Sequence, residues 1–257
     1  MTTPFTDLFS LHGKIAVVTG GNGGLGLAMA RALRDAGAEV VVTGRDPKKN
    51  AAVSDDFEVR PLDVTDAAAV DRLFDGISRD RGLDILVNNA GIYLDDPVSE
   101  GDLSAWEQMV DVNLTGSLRC ARAAARPMRE AGSGKIINVG SVYSLFGHPR
   151  SAGYAATKAG LIGLTRSLAA ELGGYGIQAN VILPGWFPTD INGDLPRMPR
   201  GEEIRRRTPA GRWGRDSDLS GIAVFLASRA SDFVTGAAVP LDGGYMISDR
   251  FLDASPR

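Results

Sequence analysis

A phenol and an ammonium group stand four residues apart in the segment Tyr-Ala-Ala-Thr-Lys, at Tyr154 and Lys158. On a helix, this spacing places both side chains on one face. Such a pair could exchange a proton with a substrate, although by itself it would equally suit an ordinary helix surface. Ser141 adds a hydroxyl group thirteen residues before the tyrosine. Whether these groups form a reactive site depends on the elements that position them.

Polar side chains also occur where predicted strands end. Ser141 follows the apolar run of residues 135–139, and Asn89 follows the run of residues 83–88. In a parallel α/β sheet, ligands bind at the carboxyl ends of the strands. Asn113 falls within a segment that has a helical pattern. Together these coincidences favour one polar site over several unrelated turns.

A glycine-rich turn lies between the first predicted strand and the first predicted helix. It fits the phosphate-binding pattern G-x-G-x-x-G through Gly21, Gly23 and Gly26. It also fits G-x-x-x-G-x-G through Gly20, Gly24 and Gly26. Either pattern gives a tight turn without side chains and a helix N-terminus that attracts negative charge. The strand before the turn and the helix after it are the context that a dinucleotide requires, so we predict a binding site for NAD or NADP.

The end of the second predicted strand bears on the choice between the two dinucleotides. An acidic residue at this position suits the ribose 2′-hydroxyl of NAD, and an arginine suits the 2′-phosphate of NADP. The sequence reads Gly44, Arg45 and Asp46, and Pro47 follows. Arg45 could bind the phosphate and stack on the adenine. Asp46 would serve NAD only if the strand ran on, and the proline indicates a turn, so the pattern favours NADP.

Short β-branched runs alternate with helical patterns along the chain. The runs are continuously apolar, which is typical of strands buried on both faces of a parallel sheet. The pattern predicts one doubly wound α/β domain over residues 1–257, with about seven strands and helices on both faces in three layers. The predicted strands are residues 14–19, 39–43, 57–62, 83–88, 135–139, 177–183 and 237–241, and the predicted helices are residues 25–36, 66–80, 103–130, 151–172 and 219–228. Residues 186–216, an irregular stretch rich in Pro, Gly and Arg, are expected to form a substrate flap.

In its motifs the sequence resembles the short-chain dehydrogenase/reductase family, which has a Rossmann fold. The matching segments occur in family order and are the glycine-rich turn, Asp63-Val64, Asn88-Asn89-Ala90-Gly91, Asn113, Ser141, Tyr154 with Lys158, and Pro184-Gly185 with Thr189. From residue 209 to residue 244 the chain looks like members that act on sugar acids, such as gluconate and 2-deoxy-D-gluconate dehydrogenases. Related 3-oxoacyl reductases carry similar segments.

The resemblance implies a role for each of four residues. Tyr154 would take a proton from an alcohol or return it to a ketone. Its pKa, ordinarily about 10, would be lowered by Lys158 and by the positive nicotinamide. Ser141 would hold the substrate oxygen as its charge develops. Lys158 would also bind the nicotinamide ribose, and Asn113 would hold a water that links Lys158 to solvent.

The resemblance also implies the contacts with the dinucleotide, from the adenine to the nicotinamide carboxamide. The residues concerned are Gly20, Asn22, Gly24, Leu25, Gly26, Gly44, Arg45, Asp63, Val64, Asn89, Ala90, Gly91, Tyr154, Lys158, Pro184, Gly185, Phe187 and Thr189. By position, the candidates for substrate contact are Ser141, Tyr143, His148, Arg150, Tyr154 and Trp186. A histidine or an arginine there would suit a carboxylated or polyhydroxylated substrate. Two histidines and one cysteine, widely separated, predict no metal site.

Composition narrows the class of protein further. The 257 residues include 28 Lys and Arg against 31 Asp and Glu, which argues against nucleic acid or an anionic membrane as a partner. The run Arg205-Arg206-Arg207 is expected to be a solvated helix face rather than a phosphate patch. The single cysteine, Cys120, allows no internal disulfide, so we expect a cytoplasmic protein. The family resemblance implies a homodimer or a homotetramer.

These observations predict an NAD(P)-dependent oxidoreductase that transfers a hydride between nicotinamide and a small secondary alcohol or ketone, with a sugar or a sugar acid as substrate. One alternative is a 3-oxoacyl reductase, which would need a basic surface near the pocket for its carrier protein. A second is a non-catalytic NAD(P)-sensing protein. Sensors usually lose the tyrosine or the lysine, and both are present here.

Overall fold

The computed structural model describes residues 4–100 and 102–248 and contains a seven-stranded parallel sheet in the order β3-β2-β1-β4-β5-β6-β7. The strands are β1 Ile15–Thr19, β2 Glu39–Gly44, β3 Glu58–Pro61, β4 Ile85–Asn88, β5 Gly134–Val139, β6 Ile177–Pro184 and β7 Ala238–Leu241. The predicted doubly wound sheet is confirmed.

Helices connect successive strands. They are α1 Gly24–Asp35, α2 Pro47–Ala51, α3 Ala67–Arg81, α4 Ser104–Met109, α5 Gly116–Ala131, α6 Ala152–Leu172, α7 Pro199–Arg207 and α8 Asp216–Ala227. A π-helix, Val110–Thr115, joins α4 to α5. Among the helices of the described residues, none combines the length and the apolar character that a bilayer span requires.

Apolar side chains pack on both faces of the sheet, which explains the continuously apolar strands. Val17 of β1 lies in the core that Phe74 of α3 shares with residues of α5 and α6. Its neighbour Val18 lies in the opposite core, with Leu33 of α1 and residues of α8. Each such buried side chain contributes about 1.5–3 kcal/mol. The three layers fix the positions of the strand ends.

The direction of the strand order reverses between β1 and β4. A crevice forms at such a switch point, outside the carboxyl ends of the strands. Thr19 and Asn88 are register partners at these ends. The fold therefore brings the glycine-rich turn after β1 next to the asparagines that end β4.

Residues 186–216 differ from the irregular chain that we predicted, because they contain α7. Pro199 occupies the first turn of this helix, where its fixed φ is favourable. Arg205, Arg206 and Arg207 lie in the last turn and complement the helix dipole. Ile204 buries against the fold, with 6% of its surface exposed.

Candidate active site

The turn between β1 and α1 exposes its backbone to a cleft of about 350 Å³. Gly20 and Gly24 have φ angles of 61° and 50°, in the left-handed region that favours glycine. These conformations select the G-x-x-x-G-x-G pattern over the alternative. A Cβ atom on Gly24 would lie 3.6 Å from Cγ2 of Thr189 across the cleft. Leu25 and the N-terminus of α1 line the same space, where the helix dipole favours a phosphate.

Gly26 has a different role from the cofactor contact predicted for it. It is buried behind the turn, where a Cβ atom would come within 2.4 Å of both Nδ2 of Asn89 and the carbonyl oxygen of Gly20. Asn89 donates hydrogen bonds to the carbonyl oxygens of Thr19 and Gly20, at 3.1 and 3.0 Å. Gly26 therefore lets α1 approach the asparagine that braces the turn. Asn89, Ala90 and Gly91 themselves line the cleft as predicted.

At the opposite end of the cleft, the carboxylate of Asp46 is hydrogen-bonded to the protein backbone. β2 ends at Gly44, and Asp46 is the N-cap of α2. Its Oδ1 accepts hydrogen bonds from the backbone N–H groups of Lys48 and Lys49, at 2.8 and 3.3 Å. This capping role directs the carboxylate toward the helix. Asn22 and Gly44, both predicted cofactor residues, line the cleft nearby.

Arg45 and Asp63 contact each other, and only the arginine is among the residues that line the cleft. Nη1 of Arg45 lies 3.4 Å from Oδ2 of Asp63. Oδ1 of Asp63 accepts hydrogen bonds from the backbone N–H and the hydroxyl of Thr65, at 2.9 and 2.8 Å. Burial acts to raise the pKa of Asp63, but the bonds from Thr65 and the charge of Arg45 outweigh it and lower the pKa. Asp63 thus positions Arg45, and Val64 is the residue of the predicted Asp63-Val64 pair that lines the cleft.

An ion pair that the sequence analysis missed crosses the mouth of the cleft. Nζ of Lys49, on α2, lies 2.5 Å from Oδ2 of Asp190, which follows β6. Both residues line the cleft beside Thr189. The pair ties the segment after β6 to α2 over the glycine-rich turn. No local pattern links the two residues, because they are far apart in the sequence.

The phenol of Tyr154 reaches the inner end of the cleft, beside Ser141 and Lys158. A hydrogen bond joins the hydroxyl groups of Tyr154 and Ser141. Nζ of Lys158 lies 5.6 Å from the centre of the Tyr154 ring and donates a 2.8 Å hydrogen bond to the carbonyl oxygen of Val139. Lys158 and Ser141 are buried, with 5% and 8% of their surfaces exposed. The structure therefore brings together the three side chains that the sequence analysis grouped.

In the protein alone, the pKa of Tyr154 is shifted in the direction opposite to the one that we predicted for Lys158 and a bound nicotinamide acting together. Burial raises its pKa to about 12, and the hydrogen bond from Ser141 offsets only part of this effect. Burial also lowers the pKa of Lys158 to about 8. Both shifts have the same cause, since an apolar environment disfavours the charged form of either group. In the protein itself, desolvation is therefore the dominant cause for both groups.

Asn113 lies in the π-helix and is fully buried. Its Oδ1 accepts a hydrogen bond from the backbone N–H of Ile92 at 2.8 Å, and its Nδ2 donates to the carbonyl oxygen of Ile92 at 3.0 Å and to Thr157 at 3.2 Å. A Cβ atom on Gly91 would lie 3.3 Å from Oδ1 of Asn113 and 3.5 Å from Nζ of Lys158. Asn113 therefore fixes the chain after β4 beside the lysine. Its predicted role in holding a water stays a prediction.

A second cavity, of about 260 Å³, opens over Ser141 and Tyr154. The predicted substrate residues Tyr143, His148 and Trp186 line it. It also contains Pro184, Gly185 and Phe187, which we predicted to contact the nicotinamide. The residues that line both cavities include Leu25, Gly140, Tyr154, Thr189 and Ile191. The two cavities meet at the tyrosine.

Arg150, predicted to contact the substrate, lies outside both cavities. Its φ of 59° turns the chain, and its guanidinium binds both carboxylate oxygens of Asp95. Proximity to Tyr154 in the sequence suggested this residue, but the acidic partner holds it at the surface. Within residues 4–100 and 102–248, no three histidine, cysteine, aspartate or glutamate side chains are grouped to hold a metal ion.

Several lining residues of the second cavity were absent from the prediction, namely Tyr93, Asn192, Leu195 and Arg200. Arg200 lies in the first turn of α7, and its Nη2 is 2.5 Å from Nε2 of His148. Arg200 reaches the second cavity because it lies on a helix, within a segment that we expected to be irregular. The prolines at 196 and 199 are the sequence signal for that helix start.

Comparisons with known proteins agree over almost the whole chain. A family model described as Enoyl-(Acyl carrier protein) reductase matches residues 20–246. Gluconate 5-dehydrogenase from Gluconobacter oxydans is 41% identical over 254 residues, which cover 94% of this chain and 98% of that protein. The 2-dehydro-3-deoxy-D-gluconate 5-dehydrogenase of Bacillus subtilis is 38% identical over 247 residues, which cover 93% and 97%. A crystal structure of a gluconate 5-dehydrogenase from Burkholderia cenocepacia J2315, in complex with NADP and tartrate, is similar with a TM-score of 0.89 at 40% identity and covers 95% of this chain and 99% of that one.

Proposed function

Because the chain belongs to the short-chain dehydrogenase/reductase family, whose members are NAD(P)-dependent oxidoreductases acting on CH–OH groups, we propose that it interconverts a sugar-acid-like secondary alcohol and its ketone with NADP. The bound dinucleotide accepts or supplies the hydride. The observation that carries this proposal is the meeting of the two cavities at Tyr154. A nicotinamide in one and a substrate in the other would share a single phenol.

In this proposal the phenol oxygen of Tyr154 moves the proton. It takes the hydroxyl proton of the substrate during oxidation and returns it to the carbonyl oxygen during reduction. Ser141, hydrogen-bonded to the phenol, holds the same substrate oxygen as its charge develops. Lys158, 5.6 Å from the ring centre, favours the phenolate through its positive charge. Asn113 fixes the backbone of Ile92, in the segment after β4 that passes beside the lysine.

Two features support NADP over NAD. The carboxylate of Asp46 is already an acceptor for the N-terminus of α2, so it is poorly placed to hold a ribose 2′-hydroxyl. Arg45 lines the same end of the cleft, and its side chain is 55% exposed. A cationic group at this position suits a 2′-phosphate.

The composition of the second cavity supports a polar, acidic substrate. Aromatic rings of Tyr93, Tyr143 and Trp186 line it and suit the C–H faces of a sugar chain. Asn192 and His148 add hydrogen-bonding groups to the same wall. The relatives named for gluconate and deoxygluconate point to the same class of substrate.

A 3-oxoacyl reductase is the less favoured candidate. Such an enzyme would need free cationic groups near the pocket to receive a carrier protein. The exposed arginines of α7 are neutralised in part, because Arg205 and Arg206 both contact Glu202. The positive charge that α7 offers to an acidic partner is thereby reduced, although its four arginines still outnumber its two glutamates.

We further propose a cytoplasmic homodimer or homotetramer. Exposed apolar side chains on α4 and α5, among them Trp106 and Leu118, favour association with a second copy. Cys120 is buried and has a pKa raised to about 12 by burial, which suits a thiol kept reduced. Light scattering on the purified protein would test the assembly, and a monomer would contradict it.

The proposed activity is tested by an absorbance screen that follows NADPH or NADH. Gluconate and 2-deoxygluconate would be offered with NADP and with NAD, alongside neutral polyols and 3-oxoacyl thioesters in the reductive direction. We expect turnover of a sugar acid with NADP. A preference for acyl thioesters would assign the chain to the alternative.

A further inference from the structure

The second cavity has one cationic corner, formed by Arg200 and His148. We infer that Arg200, supported by His148, binds the carboxylate of the substrate and so sets which carbon faces Tyr154. The inference rests on the proposed function, since it takes the substrate to be a hydroxy acid or an oxo acid. The inference adds to the proposed function the residue that recognises the substrate carboxylate. It also indicates how far the reacting carbon lies from that carboxylate.

The charge environment of Arg200 singles it out. Within the described chain, the residues that line the second cavity include no aspartate or glutamate. Several other arginines of residues 186–216 have carboxylate partners, as Arg197 has Asp194 and Arg212 has Asp218. Arg200 has no such ion pair among the described residues, and its hydrogen-bond partner is the imidazole of His148. A guanidinium in this position is available to a ligand anion.

The imidazole of His148 has to be neutral in this arrangement. An arginine can only donate hydrogen bonds, so Nε2 of His148 accepts the 2.5 Å bond from Nη2 of Arg200. Nδ1 then carries the proton and donates to the carbonyl oxygen of Pro149 at 2.7 Å. The ring also stacks on Tyr143, with centroids 5.1 Å apart. His148 thus orients the guanidinium without neutralising its charge.

The position of Arg200 on α7 is electrostatically unfavourable. A cation near a helix N-terminus opposes the helix dipole, which favours anions there. The rest of α7 follows the rule, with Glu202 in its first turn and Arg205 to Arg207 in its last. An arginine against the dipole is explained if a ligand carboxylate joins it, because that anion would be stabilised by both the guanidinium and the helix.

Tyr143 separates the cationic corner from the reaction centre. Its ring centroid lies 6.1 Å from that of Tyr154 on one side and 5.1 Å from that of His148 on the other. A carboxylate at Arg200 is therefore about one aromatic ring away from an oxygen held by Tyr154. A hydroxyl group on C2, next to the carboxylate, is too close to it for both contacts. The geometry points to a chain whose reacting carbon is several bonds from the acid group.

The test uses the protein saturated with NADP, so that phosphate-binding groups of the cleft are occupied. Binding of tartrate, a dicarboxylate probe, is measured by calorimetry on the wild type, Arg200→Met, Arg200→Lys and Arg197→Met. The last variant removes the same charge from the same segment outside the cavity. We expect Arg200→Met to weaken tartrate binding about ten- to a hundredfold, as for loss of a charged hydrogen bond. Arg200→Lys should restore part of the affinity, and Arg197→Met should equal the wild type.

Kinetics provide the second readout. With gluconate, Arg200→Met should raise KM by a similar factor, whereas the neutral polyol sorbitol, if turned over, should be unaffected. Equal tartrate affinity in the wild type and Arg200→Met, or an equal loss in Arg197→Met, would overturn the inference. If tartrate binds through Arg200 but no sugar acid is oxidised, the anion site stands and the proposed function fails. If gluconate is oxidised equally well by Arg200→Met, the function stands and the inference fails.

Discussion

The hydroxyl of Ser144 donates a 2.8 Å hydrogen bond to the carbonyl oxygen of Lys158. The hydroxyl oxygen of Ser144 in turn accepts a hydrogen bond from the backbone N–H of Ser141 at 3.2 Å. One buried hydroxyl therefore connects the loop that carries Ser141 to the helix that carries Tyr154 and Lys158. The relative position of the three proposed catalytic residues depends on this link.

Replacing Ser144 with Ala should impair catalysis more than cofactor binding. Loss of the two bonds leaves buried groups less well satisfied, which should cost about 1–3 kcal/mol of unfolding free energy. We expect kcat to fall several-fold while the affinity for NADPH stays unchanged. Ser228→Ala is the matched control, because Ser228 is also buried and, within the described chain, its hydroxyl group bonds only the carbonyl oxygen of Phe225. Equal kcat in both variants would show that the link has no part in positioning.

Tyr154→Phe should abolish turnover and leave the cofactor site intact. General acid–base catalysis contributes about 10²–10⁴-fold to rate, and the phenol is the group that we assign to it. NADPH binding, followed by fluorescence titration, should change by less than a factor of about two. Tyr175→Phe, at a half-exposed tyrosine near Arg129, is the control. A wild-type rate in Tyr154→Phe would remove the residue from the mechanism.

Lys158→Met should stabilise the fold at neutral pH, although it impairs the site. The pKa of Lys158 lies at about 8 in the fold, below its ordinary value of 10.5, so at pH 7 a buried charge costs up to about 3 kcal/mol. The lost bond to Val139 offsets about 1 kcal/mol of the gain. Between pH 8 and pH 10 the wild type gains stability, because its folded state releases the proton that the unfolded state keeps.

The advantage of Lys158→Met should therefore shrink as pH rises from 7 to about 10. Urea unfolding of both proteins at these two pH values measures it. The comparison stops at pH 10 because Tyr154, with its pKa raised to about 12, opposes the trend above that value. A stability difference that grows with pH would contradict the assignment of a lowered lysine pKa.

Arg45→Leu should reduce the preference for NADP. A hydrogen-bonded charge is worth about 1.5–3 kcal/mol, which corresponds to about a ten- to hundredfold loss in NADP affinity. The affinity for NAD should be unchanged. Arg60→Leu, on β3 and paired with Glu58, removes the same charge outside the cleft. Equal losses for NAD and NADP in Arg45→Leu would exclude a 2′-phosphate contact.

The ion pair between Lys49 and Asp190 should slow the release of NADPH. Exposed pairs are worth only about 0.2–1 kcal/mol, so we expect Lys49→Met and Asp190→Asn each to raise the dissociation rate by a factor of about two to five. The double variant should be no faster than the single ones, because both remove one interaction. Stopped-flow fluorescence measures the rates. Additive effects would mean that the residues act separately.

The sheet could be predicted because its signals are local. Valines at 17 and 18 face opposite cores, so both had to be apolar, and the continuous run was visible in the sequence. The glycine-rich turn was equally visible, although only the φ angles of Gly20 and Gly24 chose between its two patterns. Local patterns therefore identified the frame of the site.

The errors concern contacts between residues far apart in the sequence. Arg150 looked suitable because it is close to Tyr154 along the chain, yet Asp95 holds it at the surface. Arg200 reaches the second cavity from the first turn of α7, whereas we predicted a helical conformation only for Arg205, Arg206 and Arg207. The rise in the pKa of Tyr154 comes from burial, a property that spacing within one helix does not contain.

The segment of residues 186–216 supplies walls to both cavities, since Thr189 and Ile191 line each of them. A substitution there that adapts the enzyme to a new substrate will also change its affinity for the coenzyme. Tyr143 and His148 lie in a different loop and line the second cavity. Variant libraries confined to those two positions should change the substrate range without changing coenzyme affinity. Libraries in residues 186–216 should be screened at several coenzyme concentrations, because substitutions there can change both properties.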